Sequence, residues 1–450
     1  MASLTAELGR FVSELTPSML PAAAQAVAKT GFTDCFGVMI AGAREPIVGL
    51  IDRELASADG AAQASLIPSQ KRRKVEDAAL VNGVAAHVLD YDDVRLDGHP
   101  SAVLVPAILA QGEVLGSSGA EMLAAYAAGY EVWAELLARE PVQLHRKGWH
   151  PTAVLGTIAA AAACAKLRRL SAQETATALA IASSMAGGLV ANFGTHTKCF
   201  QVGRAAQSGM IAARLAAAGM TASPDALEHR SGFLAAFSPG GQPDLSSGLR
   251  AEKKEWQIER QGLNIKRYPI CYGTHRAIDA AVDLAIRHDL KPADVAGVHV
   301  STGELQMLML RNARPQTALE AKFSMQFAMA SSLVARNVGL AQMRDDFVRS
   351  PPIQTLIPRV STTTTAETME GSAFAPAEKV EITTVGGKIL ASEPVVYAKG
   401  STQRPLSREE LQAKFADCLG DGFSDGSKSR AFDKLMNLER LNSAGDLLAL

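Results

Sequence analysis

Cysteine, aromatic residues and net charge are all scarce in this sequence, and each scarcity removes a class of function. The 450 residues contain five cysteines, Cys35, Cys164, Cys199, Cys271 and Cys418, far apart and with no CxxC pair. A disulfide scaffold or a structural zinc site needs paired or closely spaced thiols, so neither is expected. The 45 basic side chains are matched by 46 acidic ones. Without a basic excess, general binding to nucleic acid or to an anionic membrane surface is not expected, although a locally positive pocket stays open. The opening MASLTAELGRFVSEL has no basic segment leading into an apolar one, so it does not read as a signal peptide. The most apolar runs lie at about 22–43 and 152–165. Lys29 and Asp34 interrupt the first, and the second falls short of the roughly 20 residues of a membrane span. A reduced, cytosolic protein is the simplest expectation. Missing too are a GxGxxG after a strand, a P-loop, HExxH and GxSxG, which removes the usual signatures of dinucleotide redox chemistry and serine hydrolysis.

What is present is the balance of a folded globular chain, 47% hydrophobic and 20% charged residues, too long for one ordinary core. The first half is rich in alanine and poor in β-branched runs, which predicts helices. Ala206, Met210, Ala213 and Ala217 share one helical face, and Gly219 follows where a C-terminal glycine belongs. Thr152–Leu167 and Ala176–Leu189 predict two more helices with small side chains. After about residue 220 the texture changes. Ser238–Pro243 is a loop cluster. Val298 and Val300, then Val380 and Ile382, alternate with polar neighbours as strands do, and Gly386-Gly387 suggests a hairpin into 388–398. Phe323, Phe327, Ala330 and Val334 mark a helix between them. Residues 361–365 read as a strand or an exposed loop, and 407–419 return to helical periodicity. The fold class expected is mainly α. A large helical domain spans 1–265 and is completed by the 400–450 tail, with a smaller α+β domain, 266–399, inserted.

Four segments could carry chemistry. In the first, NGVAAHVLDYDD runs into Asp97-Gly98-His99-Pro100. Carboxylates beside a histidine orient its ring and favour its protonated form, although a solvated acidic loop or a hard-cation site at Asp92, Asp93 and Asp97 would look the same. The second, Gly148-Trp149-His150-Pro151-Thr152, puts His150 at the mouth of a helix, where a neutral imidazole is favoured or the residue merely caps. The third, Asn192 to Cys199, carries Lys198 between two helices, as a carboxylate anchor, a base or an exposed loop lysine. The fourth, Lys266-Arg267-Tyr268-Pro269-Ile270-Cys271-Tyr272-Gly273-Thr274-His275, gathers cations, phenols and a histidine near the expected domain boundary. Histidines and lysines without a cofactor motif suit proton transfer beside a carboxylate on a small anion.

The order NGVAAHVLDYDD with GHPSAVLVPA, GWHPTAVLGT, GTHTK with GRAAQSG, KRYPICYGTH and AKFSMQFAMA resembles the 2-methylcitrate dehydratase (MmgE/PrpD) family over nearly the whole chain. GGKILASEPVVYAKG with RPLSREELQAKF adds to the likeness. The resemblance implies a helical domain with an α+β lid that closes over substrate, a homodimer, and no metal or organic cofactor. It places catalytic residues at Asp93, His99, His150 and Lys198, and substrate contacts at Lys266 and His275, with Thr197 and Tyr268 beside them. The substrate would be a small di- or tricarboxylate in the cytoplasm, with no nucleic-acid or membrane partner. The reaction would be that of a cis-aconitate decarboxylase-like or 2-methylcitrate dehydratase-like lyase. An iminodisuccinate-type epimerase and a non-catalytic binding protein are the alternatives. Asp93 is expected to favour the protonated form of His99, the proton donor. The helix terminus is expected to keep His150 neutral, as the acceptor.

Overall fold

The computed structural model describes residues 3–55, 61–69, 71–249, 255–369 and 374–448. The chain forms two compact units. One comprises Met1–Asn192, His196–Asn264 and Arg408–Leu450, the other Phe193–Thr195 and Ile265–Ser407.

The first unit is helical. Its centre is built from the helices Val75–His87, Pro100–Leu115, Pro151–Leu167 and His196–Ala217. The first three are buried on nearly all sides, which explains why their apolar residues show no single stripe. Alanine and glycine let these backbones approach closely. At Gly203 an added Cβ would lie 2.4 Å from the Leu80 carbonyl oxygen and 2.8 Å from Val84 Cγ2, so the crossing of Val75–His87 with His196–Ala217 requires a bare backbone there. Ala206, Met210 and Ala213 are buried on the predicted face, and Gly219 follows the helix end with φ 89°.

Two local expectations are corrected. The predicted Ala176–Leu189 helix is Ala172–Ser183, and the chain then leaves helical geometry. Gly188 passes so close to the helix Pro151–Leu167 that an added Cβ would lie 2.7 Å from Ala153 Cβ, and its carbonyl accepts from His150 N (2.9 Å). The GTHTK segment is not a connecting loop throughout, because His196, Thr197 and Lys198 form the first turn of His196–Ala217.

The second unit carries a four-stranded sheet in the order Val360–Thr365, Val295–Gly303, Lys379–Thr384, Ile389–Ala391. The first pair is parallel, with Val298 opposite Val360, and the other pairs are antiparallel. Val298, Val300, Val380 and Ile382 share one core with the helices His275–Arg287 and Met325–Val334. The predicted hairpin turns at Gly387 (φ 78°), but its returning strand is only three residues long. Residues 400–407 group with this unit, where Ile265 N donates to the Gly400 carbonyl (2.8 Å). Among the described residues no helix is long and apolar enough to cross a membrane. All five cysteines are buried, and no disulfide joins them.

Gly203→Val forces the two central helices apart. It should destabilise the protein by roughly 1–3 kcal/mol, the usual scale of overpacking, and chemical denaturation should show it as a lower midpoint with an unchanged slope.

Candidate active site

The helix Val75–His87 ends at His87, and the Asp90 amide closes the turn on the His87 carbonyl (3.0 Å). Asp90 has φ 51°, a left-handed conformation that the short aspartate side chain tolerates. This reversal opens the acidic segment Asp90–Asp93. From outside the segment, Lys414 of the C-terminal helix Arg408–Leu419 pairs with Asp34 (2.6 Å), donates to the Tyr91 carbonyl (2.8 Å) and lies 4.0 Å from the centre of the Tyr91 ring. The chain then folds under Trp133, whose indole donates to the Leu96 carbonyl (3.0 Å). A Cβ at Gly98 would fall 2.7 Å from the buried Trp133 ring and 2.9 Å from Thr152 Oγ1, so only glycine fits one residue before His99. His99 and His150 each precede a helix that starts with proline, and neither ring caps its own helix.

The rings and charges of three helix starts and one helix end meet in this unit. Asp92 is shared by two histidines. His87 Nδ1 lies 2.9 and 3.0 Å from its two oxygens, and His99 Nδ1 lies 3.1 Å from Oδ2. His99 Nδ1 is also 2.8 Å from the Asp93 carbonyl, so this nitrogen carries the ring proton and Nε2 is left for exchange. Nε2 lies 4.0 Å from Asp90 Oδ1, the same oxygen that accepts from Lys198 Nζ at 2.7 Å. Gln201 donates to the Leu189 carbonyl (3.2 Å), which turns its own oxygen toward His150 Nδ1 (2.7 Å). His150 therefore donates from Nδ1, and its lone pair is on Nε2. The ring centres of His87 and His99 are 4.5 Å apart, those of His87 and His150 6.2 Å.

Burial sets most of the electrostatics. It pushes His87 down to about 4, with Lys198 and His99 acting in the same direction and Asp92 against. It also opposes the charge of Asp92, but what the two histidine rings bring, electrostatically and by hydrogen bonding, holds that carboxyl well below the usual carboxylate range. His150 lies well below its ordinary value, first through burial and then through the charge of Lys198. The neutral His150 expected from the helix terminus is thus mainly a consequence of a dry site. His145, in the turn Leu144–Lys147, was not singled out from the sequence. Burial, with the charges of His99 and Lys198, pushes it down to about 4.

The role expected of Asp93 is corrected. Asp93 meets His99 through its backbone carbonyl, while its carboxylate accepts from the Ser101 amide (3.3 Å) and hydroxyl, the latter 2.7 Å from Tyr126 Oη. Burial pushes it up to about 8, with Asp92 and Asp34 adding to the rise and the Ser101 hydrogen bonds opposing it. Asp90 and Asp92 hold the places beside Lys198 and His99. Residue types alone do not reveal this, since the left-handed turn at Asp90 decides which carboxylates face the rings. His87 was missed for a similar reason, as its helix could have ended with the ring on either side. His87, Asp90, Asp92 and His99 also offer ligand atoms within 4.8 Å of one another, a different set from the Asp92, Asp93 and Asp97 considered above. Within it, the Lys198 ammonium already sits on Asp90.

Thr197 is exposed, one residue before the buried Lys198. In the second unit Lys266 and His275 are buried, and the His275 ring lies between those of Tyr268 and Tyr272, at 5.1 and 5.0 Å. His275 Nε2 is 3.2 Å from the Ile270 carbonyl. Tyr268 donates to Asp279 (2.8 Å), and burial raises its phenol well above the ordinary range.

Residues 6–246 match the MmgE/PrpD N-terminal domain, and residues 268–438 match the MmgE/PrpD C-terminal domain. The chain belongs to the MmgE/PrpD family. Its similar curated relatives include human cis-aconitate decarboxylase, 29% identical over 388 residues, or 83% of this chain and 78% of that protein. The mouse cis-aconitate decarboxylase is 30% identical over 354 residues, covering 75% of this chain and 70% of its own. That of Aspergillus terreus is 25% identical over 479 residues, covering 100% and 96%. The cluster around Asp92 lies within the match to the MmgE/PrpD N-terminal domain, His275 and Tyr268 within the C-terminal one.

The Asp93 carboxyl makes a pH prediction. Its folded value, about 8, lies above the ordinary 3.8, so the folded state holds an extra proton between the two. The stability this contributes is complete below about pH 4 and is lost as pH rises toward 8. Denaturation curves at pH 5 and pH 8 should therefore show a larger loss for wild type than for Asp93→Asn. Equal losses would place the ionisation elsewhere.

Proposed function

We propose that this protein is a lyase acting on a small carboxylate, and specifically that it decarboxylates a cis-aconitate-type triacid without an organic cofactor. The observation that carries this reading is the pairing of His99, held on Nδ1 by Asp92, with the ammonium of Lys198 in one buried cluster. The decarboxylase relatives point the same way, and the epimerase alternative gains no support from them.

The chemistry asks for little more. When carbon dioxide leaves the allylic carboxymethyl arm of such a triacid, the electron pair of the broken bond moves through the double bond. It arrives on the carbon next to another carboxylate, and one proton delivered there completes the product. His99, with protons on both ring nitrogens, delivers that proton from Nε2, is left as the neutral Nδ1–H tautomer and is recharged from solvent. Lys198 holds a substrate carboxylate and balances negative charge as it builds up, an effect strengthened by the low dielectric around it. His150, neutral and with a lone pair on Nε2, takes the proton of the leaving carboxyl group where that arm binds protonated, so that it can depart as carbon dioxide. Lys266, His275, Tyr268 and Thr197 are proposed to bind carboxylates, which their substitution should reveal as a raised KM.

Incubation with cis-aconitate, followed by NMR and carbon dioxide capture, should give one carbon dioxide per product molecule. Lys198→Ala should raise KM and lower kcat together, because it removes both an anchor and a balancing charge. Water addition or loss without carbon dioxide would move the protein to the dehydratase branch. Tight binding of triacids with no turnover and no deuterium exchange would make it a binding protein.

A further inference from the structure

His87 has no role in the chemistry above, yet it is fully buried and its ring stands at the centre of the cluster. It lies 4.5 Å from the His99 ring and 6.2 Å from the His150 ring. Its Nδ1 meets both oxygens of Asp92. Among the described residues its Nε2 is buried without a hydrogen-bond partner. A neutral ring with a dry Nε2 has its proton on Nδ1, so His87 donates to Asp92. A buried polar atom left unsatisfied is costly, so a ring held this way calls for a compensating purpose.

Asp92 supplies one. Its Oδ2 faces His99 Nδ1 (3.1 Å) and shares that nitrogen with the Asp93 carbonyl (2.8 Å). A carboxylate in a dry site, approached by a single donor, can rotate about its terminal bond or take up a proton. With His87 across both oxygens it can do neither cheaply. The carboxylate plane is fixed, and one oxygen stays aimed at His99. We propose that His87 is a positioning residue, which through Asp92 locks His99 in the tautomer with the proton on Nδ1 and Nε2 turned to the reacting carbon. The role of His99 as proton donor rests on the functional reading above; the tautomer lock does not.

The lock can be tested without substrate. In full-length protein labelled with 15N in its imidazoles, His99 should show the Nδ1–H tautomer. The same spectrum is expected for His87→Asn, whose side-chain amide can replace Nδ1–H as donor to Asp92. In His87→Leu, with Asp92 no longer fixed and the Asp93 carbonyl left to hold Nδ1, the His99 signals should shift toward a mixture of tautomers. Turnover should follow the spectra, with kcat lower by about 10–100-fold in His87→Leu, the scale known for the groups that orient a catalytic or metal-bound histidine, and largely restored in His87→Asn. KM should change much less than kcat. An Nε2–H tautomer in wild type would overturn the proposal, and so would a wild-type spectrum and kcat in His87→Leu. If His87→Leu does not fold, Asp92→Asn should shift the same His99 signals, and unchanged signals there would overturn it equally. A protein with the expected tautomers but inert toward every triacid would instead overturn the functional reading and leave the lock standing.

Discussion

Two buried carboxylates, Asp90 and Asp92, dominate the helical unit. An ionised carboxylate taken out of water is very costly unless it is paired and hydrogen-bonded. Here Lys198 pairs with Asp90 at 2.7 Å, and His87 and His99 share Asp92 at 2.9–3.1 Å. These partners come from separate helices, so the requirement to satisfy two charges fixes the relative placement of three helix ends. Removing one partner would strand a charge, so the groups proposed to do the chemistry are also groups the fold cannot easily lose.

The helices can deliver those groups because their sides are small. Gly203 lets the helix bearing Lys198 lie against the one ending at His87, and Gly98 lets the acidic loop pass beneath Trp133 on its way to His99. Both proline-led helices present a histidine just outside their first turn, where the positive end of the helix favours an anion nearby. A substrate with several carboxylates would meet an ammonium and two such termini.

Much of this was legible in the sequence. Alanine-rich periodicity gave the central helices, and alternation at Val298–Val300 and Val380–Ile382 gave the strands of the second unit. Two His-Pro pairs and GTHTK marked three of the residues in the cluster. The rest depended on three-dimensional events that residue types do not encode. The chain leaves helical geometry after Ser183 and Gly188 packs against Ala153, and a left-handed Asp90 turns Asp90 and Asp92, rather than the carboxylate of Asp93, toward the rings. The neutrality of His150 was foreseen, but from its helix terminus; its main source is burial, which a sequence window cannot measure.

The division of labour between His99 and His150 is tested most directly by the pH dependence of kcat/KM in wild type, His99→Gln and His150→Gln. An acidic limb set by protonation of His150 is expected in wild type. His150→Gln should lose that limb, and each variant should lose at least about a hundredfold in rate, the usual scale for one general acid or base. A near-normal rate in either variant would contradict the assignment of proton transfer to that histidine.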